Sequence, residues 1–90
     1  EGRLQVQSQE KQKHIVPLPL LKKNQKGTIS HICGDSIIVQ RLSDLGLTPM
    51  SKIMLVRKMM HNGPIEITVR RTTLAIDRNI ANNIFINLDL

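Results

Sequence analysis

Apolar and polar residues alternate with a short period from residue 27 onward, and no such period precedes them. Residues 1–16, EGRLQVQSQEKQKHIV, are polar and glutamine-rich. With no sustained apolar repeat, residues 1–17 read as a flexible extension ahead of a domain at 18–90. Removing residues 1–16 should then cost less than about 1 kcal/mol, the range of changes away from core and caps. Pro17 and Pro19 stiffen the approach to Leu18, Leu20 and Leu21, which read as an anchor onto the domain. Residues 27–33, GTISHIC, are rich in β-branched side chains and predict a strand. Gly34-Asp35-Ser36 follows as a turn suited to capping a helix. Ile38, Leu42 and Leu45 then recur at i, i+4 and i+7, one helical stripe.

The helix has a written stop. Gly46 falls where a left-handed cap residue would sit, and Pro49 prevents the helix from resuming. Met50 after a proline argues for a type I or looser corner, since a type II turn needs positive φ there. A second strand is expected over 52–60, and Asn62-Gly63 is a hairpin signal. Ile65, Ile67 and Val69 alternate with Glu66, Thr68 and Arg70, predicting a strand with one buried face. A turn at Arg71-Thr72 leads to a short strand over 73–76. Asp77 can cap one helical turn holding Ile80 and Ala81. Ile84, Ile86 and Leu88 alternate in a closing strand. The fold class is therefore mainly β: a small, partly open barrel of about five strands with one or two short helices.

Charge and composition narrow the function. The 90 residues carry a net charge of +6, which invites a nucleic-acid reading. The excess is uneven: residues 1–26 account for +4 and residues 27–90 for only +2. Phe85 is the sole aromatic among Phe, Trp and Tyr, so bases find no stacking platform. No nucleic-acid partner is expected, and binding through the basic leading segment would betray itself by a steep salt dependence. Cys33 is the only cysteine, which excludes an internal disulfide and suits a reducing cytosol. No apolar run approaches the length of a membrane span, and residues 1–13 lack a signal-peptide core, so a cytoplasmic protein without membrane insertion is expected.

No phosphate loop, zinc motif or nucleotide fingerprint is present. His31 and Cys33, two apart on a strand, could be a ligand pair, but a metal site needs more partners and a plain strand pair is the simpler account. A Cys33 nucleophile would need a neighbouring base and an orienting group that the spacing does not provide, so the chain is not read as an enzyme. Arg41 and Asp44, at i and i+3, fit a solvated surface pair. Met54 fits core filler. Met50, Met59 and Met60 stand where chains turn, and read equally as filler or as an adaptable contact patch with His61.

The order of these motifs resembles the FeoA family. Gly27 with Ile29 and Ile32, Arg41-Leu42, Leu45-Gly46-Leu47 with Pro49, Gly63-Pro64-Ile65, Leu74-Ala75-Ile76, and Ala81 with Ile84 carry the resemblance over residues 18–88. Its most specific part is R-L-x-x-L-G-L-x-P. The resemblance implies an SH3-like barrel and a non-enzymatic adaptor that binds the cytosolic domain of a FeoB-like ferrous iron transporter. It implies cytoplasmic placement, peripheral to the inner membrane through that partner, and is compatible with a homo-oligomer. No tightly bound cofactor is implied, at most a weak or indirect association with ferrous iron. Arg41, Leu47, Pro49, Met50, Met59, Met60 and His61 are the expected partner contacts. The alternative is a relative of the C-terminal SH3-like domain of metal-dependent repressors, binding a peptide or regulator. Two departures from the family pattern, Met50 in place of glycine and Met59-Met60-His61-Asn62 before the hairpin glycine, fall on those contact loops.

Overall fold

The computed structural model describes residues 14–89. Six strands form one antiparallel sheet: β1 (Ile15–Pro17), β2 (Lys26–Ile32), β3 (Lys52–Lys58), β4 (Ile65–Val69), β5 (Thr72–Ile76) and β6 (Ile84–Leu88). Their order is β1-β6-β2-β3-β4-β5, so the sheet curls without closing by hydrogen bonds between its edge strands. A 3-10 turn (Leu18–Leu20) follows β1, helix α1 (Ser36–Asp44) joins β2 to β3, and α2 (Arg78–Ala81) joins β5 to β6.

The alternating pattern does what it predicts. Ile65, Ile67 and Val69 are buried, and so are Ile53 and Leu55 opposite them and Ile84 and Ile86 across the fold. Leu18 and Leu21 close the core from the chain's leading side. Each such side chain contributes about 1.5–3 kcal/mol when fully withdrawn from water. Both helices start on the predicted caps: Asp35 accepts from the Ile38 N–H at 2.9 Å and Asp77 from the Asn79 N–H at 2.8 Å.

Part of the expected extension is a strand. Ile15–Pro17 is a strand paired with β6 in the register Ile15↔Asn87, Val16↔Ile86, Pro17↔Phe85, and the Leu88 N–H donates to the His14 carbonyl. The boundary at residue 17 is therefore wrong, and Val16 packs against the core. Truncation through residue 16 removes part of the sheet and cannot be silent. Residues 1–13, the remainder of the expected extension, lie outside the described residues.

Two bulges reset the pattern, one in β2 between Ile29 and His31 and one in β3 between Leu55 and Arg57. After its bulge β3 places Arg57 opposite Glu66, and the two form a 2.7 Å ion pair. Glu66's hydrogen bond and charge push the Arg57 guanidinium above its ordinary value.

Gly27 in β2 is buried against β6. A Cβ there would overlap the Ile86 Cγ2 methyl and lie 2.8 Å from the Asn87 carbonyl oxygen. The carbonyl belongs to the ladder and cannot yield. Gly27→Ala should therefore destabilise the domain by about 2–3 kcal/mol, as overpacking does. In a domain this small that lowers the melting temperature by roughly 10–20 °C. Thermal unfolding followed by circular dichroism checks it.

Candidate functional site: a rigid corner and a pinned hairpin

The segment from Leu42 to Ser51 is held through its backbone N–H groups. The Leu47 N–H donates to the Leu42 carbonyl at 2.8 Å and the Gly46 N–H to the Ser43 carbonyl at 2.9 Å, the paired bonds of a Schellman stop. Gly46 takes φ +92°, as that stop requires. The motif turns Leu47 inward beside Leu42, and both join the core. Leu47 is 1% exposed, so it cannot be the partner contact expected of it. Leu45 is the converse: it ends the helix facing solvent, at 51% exposure, because the chain leaves the helical path there. The buried stripe of α1 is carried by Leu42 with half-buried Ile38 and Val39.

The next four residues, Thr48-Pro49-Met50-Ser51, close a turn through the Ser51 N–H and the Thr48 carbonyl at 3.0 Å. Met50 has φ +79°. With proline before it, that is a type II turn, and the expected type I corner is corrected. The geometry wins over residue preference because both flanks are tied. The Met50 N–H donates to the Ile29 carbonyl and the Ile29 N–H to the Ser51 carbonyl, each at 2.8 Å. The Ser51 hydroxyl also donates to the Gly46 carbonyl at 2.9 Å. The Met50 side chain projects into solvent at 80% exposure, beside exposed Pro49. Arg41 is exposed on α1; Asp44 accepts from Gln40 at 3.0 Å, and no Arg41–Asp44 pair forms.

The second expected contact loop lies at the far end of β3, whose seven residues span about 23 Å. The tight turn there is Met60-His61-Asn62-Gly63, closed by the Gly63 N–H on the Met60 carbonyl at 3.0 Å. His61 and Asn62, at φ +58° and +59°, are its central pair, one residue earlier than the Asn62-Gly63 signal suggests. Met60 and His61 are exposed, and so is Met59, to a smaller degree at 37%. Arg78, which the sequence does not single out, pins this hairpin: Nε donates to the Gly63 carbonyl and Nη2 to the Met59 carbonyl, both at 3.2 Å. A polar cleft of about 450 Å³ lies between hairpin and α2, lined by Asn62, Asp77, Arg78 and Asn82 among others. Met50 and Met60 thus belong to two surfaces.

His31 and Cys33 are both exposed. His31 stacks on Phe85, its partner across the β2–β6 ladder, with ring centroids 4.7 Å apart and planes inclined by 8°. Among the described residues no group of three or more His, Cys, Asp or Glu side chains comes together around them or elsewhere. Among the described residues no helix is long and apolar enough to cross a membrane.

The sequence matches the FeoA domain over residues 16–88. The crystal structure of an iron uptake regulatory protein, FeoA, is similar at 30% identity and a TM-score of 0.76, over 84% of this chain and 99% of that one. The FeoA protein of Chlorobium tepidum is similar at 25% identity and a TM-score of 0.78, over 83% and 71%. A manganese-dependent transcriptional repressor shares the fold at 15% identity and a TM-score of 0.79, over 87% of this chain and 44% of the repressor. Among curated proteins no sequence relative reaches significance. The SH3-like fold expected from the sequence holds, with six strands in place of five.

The left-handed backbone at Met50 yields a stability prediction. A side chain in that region costs about 1–2 kcal/mol, and glycine returns about 0.5–1 of it as chain entropy. Met50→Gly should therefore stabilise the domain by roughly 0.5–1 kcal/mol in urea unfolding. A loss of stability would show that Met50 contributes packing its exposure does not reveal.

Proposed function

We propose, for a chain that belongs to the FeoA family, a non-enzymatic accessory role in ferrous iron transport, exercised by binding the cytosolic part of the transporter. What supports this is the match over residues 16–88 together with the 30% identical FeoA structure, of which 99% is covered. The geometry agrees with a binding module. The exposed apolar groups are carried on turns whose backbones are fixed, so a partner meets a formed surface and little ordering entropy is lost on association. Pro49 and Met50, with Arg41 on the adjoining helix, are the proposed transporter contacts at one end of β3; Met59, Met60 and His61 stand on a separate surface at the other. Leu47 supports the first set from the core. The protein acts in the cytoplasm, at the inner membrane only through its partner, and holds no metal tightly.

Ferrous iron uptake by cells lacking the chain tests this reading. Uptake should fall, recover with the unaltered chain, and recover equally with Cys33→Ser and His31→Ala. Pro49→Ala with Met50→Ser should leave the melting temperature within about 2–4 °C, as for other surface changes. Co-purification with the transporter should weaken at least several-fold, as anchoring side chains dominate interface energies. Uptake that depends on Cys33 or His31 would point instead to a chain that carries iron itself.

A further inference from the structure

Three cations run diagonally across the outer face of the sheet beside the corner. The β2–β3 register is Lys26↔Met54 and Thr28↔Lys52, and the β3–β4 register is Met54↔Thr68 and Ile53↔Val69. Lys26 and Lys52 are therefore diagonal neighbours, and Arg70, one step beyond Val69, stands next to Lys52. Like charges on neighbouring strands repel, and such an arrangement is costly unless something answers it. Asp89 is the carboxylate at the rim. Among the described residues the ion pair that forms is Arg57–Glu66, and none of the three diagonal cations meets a carboxylate within pairing distance.

These cations frame two adjoining grooves. One, of about 210 Å³, has Lys26, Lys52 and Arg70 around Met54 and Thr68; the other, of about 380 Å³, shares Lys52 and Arg70 and reaches Pro49 and Met50. The backbone supplies an independent sign. Met50 and Arg70, which line these grooves, have φ of +79° and +51°, so two long side chains occupy positions where glycine would sit more easily. Strain of this kind points to side chains kept for what they do. Arg70 also lies along Gly46: a Cβ on Gly46 would be 3.4 Å from Arg70 Cδ and 3.6 Å from Nε. The glycine of the helix stop leaves the arginine room to lie across the corner.

We propose that this diagonal docks an extended acidic segment of a protein partner, with carboxylates two residues apart and an apolar residue near them. Diagonal neighbours on adjacent strands are about 7–8 Å apart. Carboxylates at i and i+2 of an extended chain are separated by about 6.6 Å on the same face, which matches Lys26 and Lys52. Arg70 takes a further carboxylate, and Met50 and Met54 offer adaptable apolar contact between the charges. An open groove whose cations are spread along a line suits an extended chain, and the absence of aromatic side chains from it disfavours single-stranded nucleic acid. The proposal rests on the transporter-binding reading for the identity of the partner, but its chemistry can be tested apart from it.

Two probes are used with the full chain: the purified cytosolic domain of the transporter, and a synthetic peptide carrying Glu-Ser-Glu-Ser-Leu, whose two carboxylates and leucine share one face when extended, between glycine and serine spacers. Binding is followed by calorimetry and by amide NMR shifts. The expected result is that Lys26→Glu with Lys52→Glu weakens the cytosolic domain about tenfold or more, that added salt does the same to the unaltered chain, and that Lys52→Arg and Met60→Ser do neither. Peptide-induced shifts should centre on Lys26, Lys52, Met54 and Arg70, and an unchanged melting curve excludes unfolding as the cause. If the cytosolic domain binds but ignores the charge reversal, the acidic-segment proposal is overturned while the transporter reading stands. If it does not bind, yet the peptide shifts these residues, the docking surface stands and the transporter reading fails. Preference for a single-stranded oligonucleotide over the peptide at the same residues would also overturn the proposal.

Discussion

The hydrogen bond from the Leu47 N–H to the Leu42 carbonyl organises the region on which function is argued. It ends α1, holds Gly46 in the left-handed region, and delivers Leu47 to the core beside Leu42. Burial of that leucine then anchors the turn at Pro49-Met50 from below, while Ile29 grips its backbone from β2 through two hydrogen bonds. The same grip sets the β2–β3 register that lines up Lys26, Met54 and Lys52. A corner so constrained has little freedom to close over a ligand. What it can do is present side chains in fixed places.

Much of this was legible where the signal was local. The alternation of Ile65, Ile67 and Val69, the caps at Asp35 and Asp77, and the stop at Gly46 each depend on residues within a few positions of one another. Misreadings arose where distant parts of the chain decide. Ile15–Pro17 offers too few apolar residues to register as a strand, and only β6 makes it one. Residue preference puts glycine at the third position of a type II turn, but the Ile29 bonds impose that geometry on Met50. Leu45 and Leu47 exchanged places between core and surface because a Schellman stop breaks the 3.6-residue period the stripe assumes. Arg78 could not be found at all: its partners are the Gly63 and Met59 carbonyls, and backbone carbonyls carry no sequence signature.

The two ends of β3 show different balances of stability and exposure. At the hairpin, Arg78 bonds the loop backbone, so the turn is held by a side chain from α2. At the corner, methionine and arginine stand on backbone that favours glycine, as His61 does at the hairpin, but here Lys52 and Arg70 gather charge beside the exposed apolar groups. That charge is what places the proposed recognition at the corner. The corner also accounts for the family's motif without assigning it ligand chemistry: the glycine of R-L-x-x-L-G-L-x-P shapes the platform, and Pro49 with the exposed residues around it carries the proposed contact.

The four methionines, Met50, Met54, Met59 and Met60, sample both ends of β3 and make a direct measurement possible. Methyl NMR of the chain, labelled at methionine alone, can be followed as the transporter's cytosolic domain is added. The account predicts that the Met50 and Met54 methyl signals shift or broaden first, while Met59 and Met60 stay in place. Movement confined to Met59 and Met60 would put the interface on the hairpin and contradict it.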